Sequence, residues 1–121
     1  MHRIHMRRIY EEKKEHETRI LVDRLWPRGV SKEKAGLEYW AKEMTPSDAL
    51  RKAYHEGALE KEEFREKYRQ EILSGENLDS FLSYVEEALQ EKDVVLLSAV
   101  KDLTESHVPI LKEILEENLK G

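Results

Sequence analysis

Residues 20–29 (ILVDRLWPRG) constrain the fold more than any other part of this chain. The apolar run at 20–22 predicts a buried strand, because continuous apolar runs are typical of parallel strands that are covered on both faces. This run leads directly into Asp-Arg and then into Trp-Pro-Arg-Gly, where the proline and glycine favour a turn. Charged side chains at the tip of a buried strand cannot all be core, so the segment predicts a binding site at that tip.

Two further segments complete the expected sheet. Residues 93–100 (DVVLLSAV) contain the best candidate for a central strand, because the run is short, apolar and β-branched at its start. Residues 3–10 read as a first strand near a sheet edge, and residues 19–25 read as the second strand. We expect the second strand and the central strand to be parallel, joined by a long helical crossover.

The helical pattern fills the intervening sequence. Residues 30–44 are ambiguous, because Leu37, Trp40 and Ala41 have helical spacing but Gly36 opposes it. Thr45 is the expected cap of the next helix, with Pro46 at its first position and Asp48 reaching back as in a capping box. Periodic apolar stripes then predict two more helices, with Asn77 as the cap of the second, and a last helix from about residue 106. The inward positions of these helices are Leu50, Ala53, Tyr54, Leu59, Phe64, Tyr68, Ile72, Leu78, Phe81, Leu82, Val85, Ala88, Leu89, Leu111, Ile114, Leu115 and Leu119.

This order of elements predicts the α/β class: a single small domain spanning residues 1–121, with a short, mostly parallel sheet flanked by about five helices.

The amino-acid composition limits the functions that the chain can have. The net charge of −5 argues against a protein whose whole surface binds nucleic acid. A local basic patch at Arg3, Arg7 and Arg8 could still contact nucleic acid. The absence of cysteine excludes disulfides, a thiolate nucleophile and cysteine-based zinc sites.

The sequence also predicts a soluble, cytoplasmic protein with no membrane contact, since it has neither an apolar leader nor a run of about 20 apolar residues. Abundant Glu, Lys and Arg with only four amide side chains are typical of thermophile proteins, and equally of an ordinary charged, helix-rich microbial protein. No metal site is predicted, because His2 and His5 have no third ligand nearby in the sequence. No cofactor is indicated, and the oligomeric state is left open.

Ligands of open α/β sheets bind at the carboxyl ends of the strands, and two expected strands end here in charged loops. If those strands are parallel, Arg24, Arg28 and Lys101 converge near the start of the last helix, where free amides favour anions. Trp26 would wall or stack in such a pocket. Asp23 and His107 are the candidates for orienting a ligand or transferring protons.

Each of these residues has a structural alternative. The arginines could brace loops by bonding to carbonyls, and Trp26 could be core. His107 could cap the last helix or donate to a carbonyl. Asp23 and Asp102 could form a carboxylate pair for acid–base work or Mg²⁺, or Asp102 could only cap a turn.

Four segments together resemble a known family. They are residues 19–29 (RILVDRLWPRG), 45–55 (TPSDALRKAYH), 64–68 (FREKY) and 94–107 (VVLLSAVKDLTESH). In this order they resemble the YeaO-like family of bacteria and archaea, catalogued as domain of unknown function 488. The resemblance implies a small cytoplasmic α/β protein and supplies no activity. The polar and turn residues that match the family are Asp23, Arg24, Trp26, Arg28, Gly29, Pro46, Ser47, Arg51, His55, Lys101 and His107.

Two positions depart from the family pattern. Ser98 stands where an aromatic is common, and Ser106 stands where an amide is common. If that aromatic stacks on a ligand in the family, the pocket of this chain is more open. More distant relatives carry a cysteine near the last loop. This chain has none, which argues against covalent catalysis.

The sequence therefore predicts a pocket for a small anion, of the phosphate or nucleotide type, at the carboxyl ends of the strands. Its expected ligand-binding residues are Arg24, Trp26, Arg28, Lys101, Ser47 and Arg51. The alternative is a regulatory module that binds nucleic acid or a partner without catalysis, and whether the protein is an enzyme stays open.

Overall fold

Four short strands form one parallel sheet in the computed structural model, which describes residues 2–119; Met1, Lys120 and Gly121 of the expected 1–121 domain lie outside the described residues. The strands are β1 (Ile4–Arg8), β2 (Glu17–Leu21), β3 (Tyr39–Trp40) and β4 (Asp93–Ser98), in the spatial order β1-β4-β2-β3. Every paired strand is parallel to its neighbour. The central position of β4 and the edge position of β1 are thus confirmed.

Five α-helices accompany the sheet in the described part of the chain: α1 (Lys32–Ala35), α2 (Asp48–His55), α3 (Lys61–Ser74), α4 (Leu78–Leu89) and α5 (Val108–Asn118). Short 3₁₀ turns lie at 42–44 and 103–105. The predicted α/β class is confirmed. Within residues 2–119, no helix has both the length and the apolar character needed to cross a bilayer.

The sheet has one core on each face, which explains the apolar runs in β2 and β4. Ile20, Val94 and Leu96 face the larger core, which contains the buried side chains of α2 to α5. Leu21, Val95 and Leu97 face the smaller core, which is closed by Ala35 and by both tryptophans. The sheet is therefore covered by four helices on one side and by a short helix and loops on the other.

Two local predictions are wrong, and one segment that the sequence left ambiguous is resolved. The second strand ends at Leu21 rather than at residue 25, because Asp23 turns toward β4 and its carboxylate accepts the backbone N–H of Ala99. The ambiguous segment at residues 30–44 contains the short helix α1 and then a strand at residues 39–40, since Gly36 ends α1 in the left-handed region with φ of 54°. Ser47, not Thr45, caps α2: its hydroxyl accepts the N–H of Leu50.

The cap predicted at Asn77 has the right position but makes no side-chain hydrogen bond. The last helix begins at Val108, two residues later than predicted, and its inward positions Leu111, Ile114 and Leu115 are fully buried as expected.

A buried ion cluster lies on the side of the sheet that carries α1. Arg7 of β1 forms a two-pronged ion pair with Glu17 of β2, with N–O distances of 2.8 and 2.9 Å. Arg19 is only 5% exposed and donates from Nε to the carbonyl of Ala35, while both of its Nη atoms are buried without a hydrogen-bond partner. Glu17 is therefore the acid that balances two buried guanidinium groups. Its hydrogen bonds with Arg7 lower the pKa of Glu17, so the carboxylate stays charged.

Replacing Glu17 by Gln should lower the free energy of unfolding by about 3–5 kcal/mol, because removing one partner leaves buried charge uncompensated. Urea unfolding at neutral pH measures this change. Glu12→Gln, on the exposed part of the same connection, is the matched control and should change stability by no more than about 0.5 kcal/mol. Equal stability of the two variants would contradict a structural role for the ion cluster.

Candidate functional site

The loops after β1, β2 and β4 border one cleft at the carboxyl edge of the sheet, which we call the rim cleft. Its volume is about 750 Å³, within the range of small-molecule sites. Parallel strands present their carboxyl ends at the same edge, which is why loops distant in sequence meet here. The predicted site residues that line the rim cleft are Asp23, Arg24, Trp26, Arg28, Arg51, Lys101 and His107.

Asp23 joins the ends of β2 and β4. One carboxylate oxygen accepts the hydroxyl of Ser98 at 2.7 Å, and the other accepts the backbone N–H of Ala99 at 2.7 Å. Its own carbonyl accepts the indole N–H of Trp40, also at 2.7 Å. Asp23 thus links three strand ends, and both of its oxygens are already used by protein donors.

His107 lies just before α5 and is 9% exposed. Its Nε2 is 2.5 Å from the carbonyl oxygen of Val22, and because a carbonyl can only accept, Nε2 carries the proton. Burial lowers the pKa of His107, although the Val22 carbonyl and nearby Asp23 oppose the shift. The ring of Tyr68 packs edge-on against the imidazole at 5.9 Å. His107 is therefore neutral at pH 7 and uses its proton to fix the end of β2.

The start of α2 engages two of the predicted cations. Arg24 forms an ion pair with Asp48, and Arg51 lies 3.5 Å from the same carboxylate. Ser47, by contrast, does not line the rim cleft. It caps α2 and bonds to Glu71 of α3, with its N–H at 2.9 Å and its hydroxyl at 2.5 Å from that carboxylate. Ser47, predicted to bind a ligand, therefore holds the start of α2 against α3.

Arg28 and Lys101 differ from the other cations of the cleft. Both side chains are exposed, and within residues 2–119 neither makes a hydrogen bond or an ion pair. Gly29 allows the turn that carries Arg28, because its φ of 75° is unfavourable for other residues. Two cations without protein partners therefore lie at the edge of one cleft.

Trp26 contributes to both the smaller core and the cleft wall. Its indole N–H donates to the carbonyl of Val30 at 2.6 Å, and its ring meets Trp40 edge-on at 5.3 Å. This packing holds the turn at residues 26–30. Ser98, where the family pattern has an aromatic, is fully buried and bonded to Asp23, and it does not line the rim cleft.

Tyr10 lines the rim cleft and was not among the predicted site residues. It follows β1, so the same rule of parallel strand ends could have found it once the direction of β1 was known. The expected strand at residues 3–10 concealed this position, because β1 ends at Arg8 and Tyr10 lies in the turn beyond it.

The remaining candidates have structural partners. Asp102 is exposed and accepts the N–H and hydroxyl of Thr104, which caps a turn. The basic cluster at the first strand is divided, because Arg7 is buried against Glu17 and Arg8 donates to the carbonyl of Val100. In the part of the chain that the structure describes, no group of three metal-ligating side chains could hold a metal ion.

Comparison with known proteins supports the family that the sequence motifs resemble. Residues 3–121 match the model of the inactive DUF488-N3 subclade. The chain is 36% identical over 113 residues to the uncharacterised protein YeaO of Escherichia coli, covering 93% of this chain and 96% of that protein. It is 28% identical over 114 residues to the uncharacterised proteins Rv3073c of Mycobacterium tuberculosis and Mb3100c of Mycobacterium bovis, covering 93% of each chain. The protein therefore belongs to the YeaO-like DUF488 family. No solved structure matches it.

Replacing Asp23 by Asn should cost about 2–3 kcal/mol in the free energy of unfolding, because a charge-assisted bond is lost and an amide donor now faces another donor. Chemical denaturation measures the loss. Asp79→Asn, exposed in the first turn of α4, is the control and should cost no more than about 0.5 kcal/mol. A stable Asp23→Asn variant would show that the carboxylate does not hold the strand ends.

The stability should also fall with acid because of His107. Below pH about 6.5 the unfolded imidazole takes up a proton, while the folded one, with its lowered pKa, stays neutral until a lower pH. This group alone contributes a slope of at most about 1.4 kcal/mol per pH unit in that window. Urea unfolding between pH 7.5 and 5 should show a shallower decline in His107→Gln than in the natural chain. The exposed His55→Gln is the control and should retain the full decline; an unchanged slope in His107→Gln would contradict the assignment.

Proposed function

We propose that the rim cleft binds a small anion of the phosphate or nucleotide type. The single observation that carries this proposal is the pair of unpartnered cations, Arg28 and Lys101, at one concave site. A guanidinium and an ammonium group together suit phosphate, since the first binds its oxygens in two-pronged fashion and the second acts as a point charge. Both residues belong to loops whose bases are fixed by Asp23.

The surrounding charge supports an anion rather than a cation as the ligand. Arg24 and Arg51 add two positive groups to the lining, and their shared partner Asp48 does not itself line the cleft. The acids of the lining are engaged elsewhere. Asp23 binds Ser98 and Ala99, Asp102 binds Thr104, and Glu105 pairs with Lys61 at 2.7 Å.

Binding without chemistry is the form of the function that these contacts favour. General acid–base catalysis needs a group free to exchange a proton with the ligand. The oxygens of Asp23 and the Nε2 proton of His107 are both used within the fold. The chain has no cysteine, and the subclade whose model it matches is described as inactive. The cytoplasmic location and the thermophile-like character expected from composition stay predictions.

Inorganic phosphate should raise the melting temperature of the natural chain and do so less in the double variant Arg28→Ala/Lys101→Ala. At ten times Kd, a single site adds about 1.4 kcal/mol to the free energy of unfolding. Phosphate and sulfate also stabilise proteins generally by exclusion from the surface, so the difference between chains is the informative quantity.

The matched control is Lys34→Ala/Lys67→Ala, which removes two exposed cations outside the cleft and changes the net charge equally. It should respond to phosphate as the natural chain does. The proposal is wrong if the double variant at Arg28 and Lys101 keeps the full phosphate response, or if isothermal titration detects no binding by the natural chain.

A further inference from the structure

The exposed apolar surface of the molecule is concentrated at the rim cleft. Tyr10, Leu25 and Leu73 are the three large apolar side chains that are exposed among residues 2–119, at 48%, 70% and 47%. Two of them, Tyr10 and Leu25, line the rim cleft. Exposed apolar side chains that lie together in a cleft are typical of ligand-binding sites, because a ligand can bury them. The rim cleft therefore offers exposed apolar surface as well as positive charge.

The aromatic ring of Tyr10 is held in place by contacts with two arginines. Its hydroxyl donates to the carbonyl of Arg28 at 3.1 Å, and the guanidinium carbon of Arg8 lies 5.1 Å from its ring centroid. Arg8 is itself anchored, since it donates to the carbonyl of Val100 at 2.7 Å and more weakly to that of Ala99 at 3.4 Å. The ring is thus held at its hydroxyl and by a cation while nearly half of its surface stays exposed.

The same contacts link the Tyr10 ring to the backbone segments that carry both unpartnered cations, and all three residues line the rim cleft. The hydroxyl of Tyr10 binds the backbone of Arg28 itself, and Arg8 binds the carbonyl of Val100, the residue immediately before Lys101. The Tyr10 ring is therefore hydrogen-bonded to the turn after β2 that carries Arg28, and Arg8 ties it to the end of β4, one residue before Lys101. Trp26 suits stacking less well, because its indole is already bonded to Val30 and packed on Trp40.

We propose that Tyr10 is the stacking platform for an aromatic ring that carries a phosphate group, so that the ligand class of the rim cleft is a nucleoside monophosphate. This inference rests on the proposed anion site and adds its organic half. Bases stack on aromatic side chains irrespective of their sequence identity, because every base has a π-face. The cleft of about 750 Å³ has room for a base, a sugar and a phosphate together.

The experiment compares four probes by isothermal titration against the full chain: AMP, ribose 5-phosphate, inorganic phosphate and adenosine. AMP should bind roughly five- to a hundredfold more tightly than ribose 5-phosphate, as expected for one stacked base. Tyr10→Leu should abolish the preference for AMP over ribose 5-phosphate, and Tyr10→Phe should retain it because the aromatic ring remains. Leu73→Ala, the exposed apolar residue outside the cleft, is the control and should leave the ratio unchanged. In the natural chain, nuclear Overhauser contacts should join the base protons of AMP to the Tyr10 ring.

The outcomes separate this inference from the function on which it rests. Equal binding of AMP, ribose 5-phosphate and phosphate would overturn the nucleotide assignment and leave the anion site standing. Binding of none of the four would overturn both. An AMP advantage that survives in Tyr10→Leu, or contacts from the base to another ring, would overturn the role of Tyr10.

Discussion

The carboxylate of Asp23 is the contact on which the geometry of the candidate site depends. A parallel sheet brings strand ends to one edge but does not set the directions in which the loops leave it. Asp23 sets them by binding the Ser98 hydroxyl and the Ala99 N–H, while its carbonyl holds Trp40. His107 adds a second link from the start of α5 to the end of β2. The loops that carry Arg28 and Lys101 therefore start from strand ends that are tied to each other by hydrogen bonds.

The parts of the fold that could be predicted are those that depend on the pattern of apolar residues within a single segment. The run at residues 94–97 is apolar on both faces of a strand, which by itself indicates a central position, and β4 occupies it. The end of β2 could not be predicted, because it depends on the hydrogen bond between Asp23 and Ser98, which lie 75 positions apart in the chain. The conformation at Trp40 was left open for a different reason. The spacing of Leu37, Trp40 and Ala41 spans barely one helical turn, and the backbone of Gly36 had already ended the helix.

The same distinction applies to the charged residues. Their position at the strand ends follows from the sequence and the parallel arrangement, and seven of the eight predicted side chains line one cleft. Which of them brace the fold depends on partners that sequence spacing does not reveal. Arg24 finds Asp48 on α2, whereas Arg28, four residues later, finds no protein partner within residues 2–119. Tyr10 was missed because its turn belongs to β1, whose direction was not assigned.

The charged clusters on the α1 side of the sheet and at the rim cleft differ in their exposure to water. On the α1 side, Arg7 pairs with Glu17, and Arg19 is buried close enough to feel the same carboxylate, so removing that charge is costly. At the rim cleft, Arg28 and Lys101 remain hydrated, so leaving them unpaired costs the fold little. Exposed cations at a concave site can exchange water for an anion with a favourable gain, while the buried pair cannot. This difference in hydration, more than the number of arginines, makes the carboxyl edge of the sheet the better candidate for a ligand, and it leaves the α1 side with a role in stability.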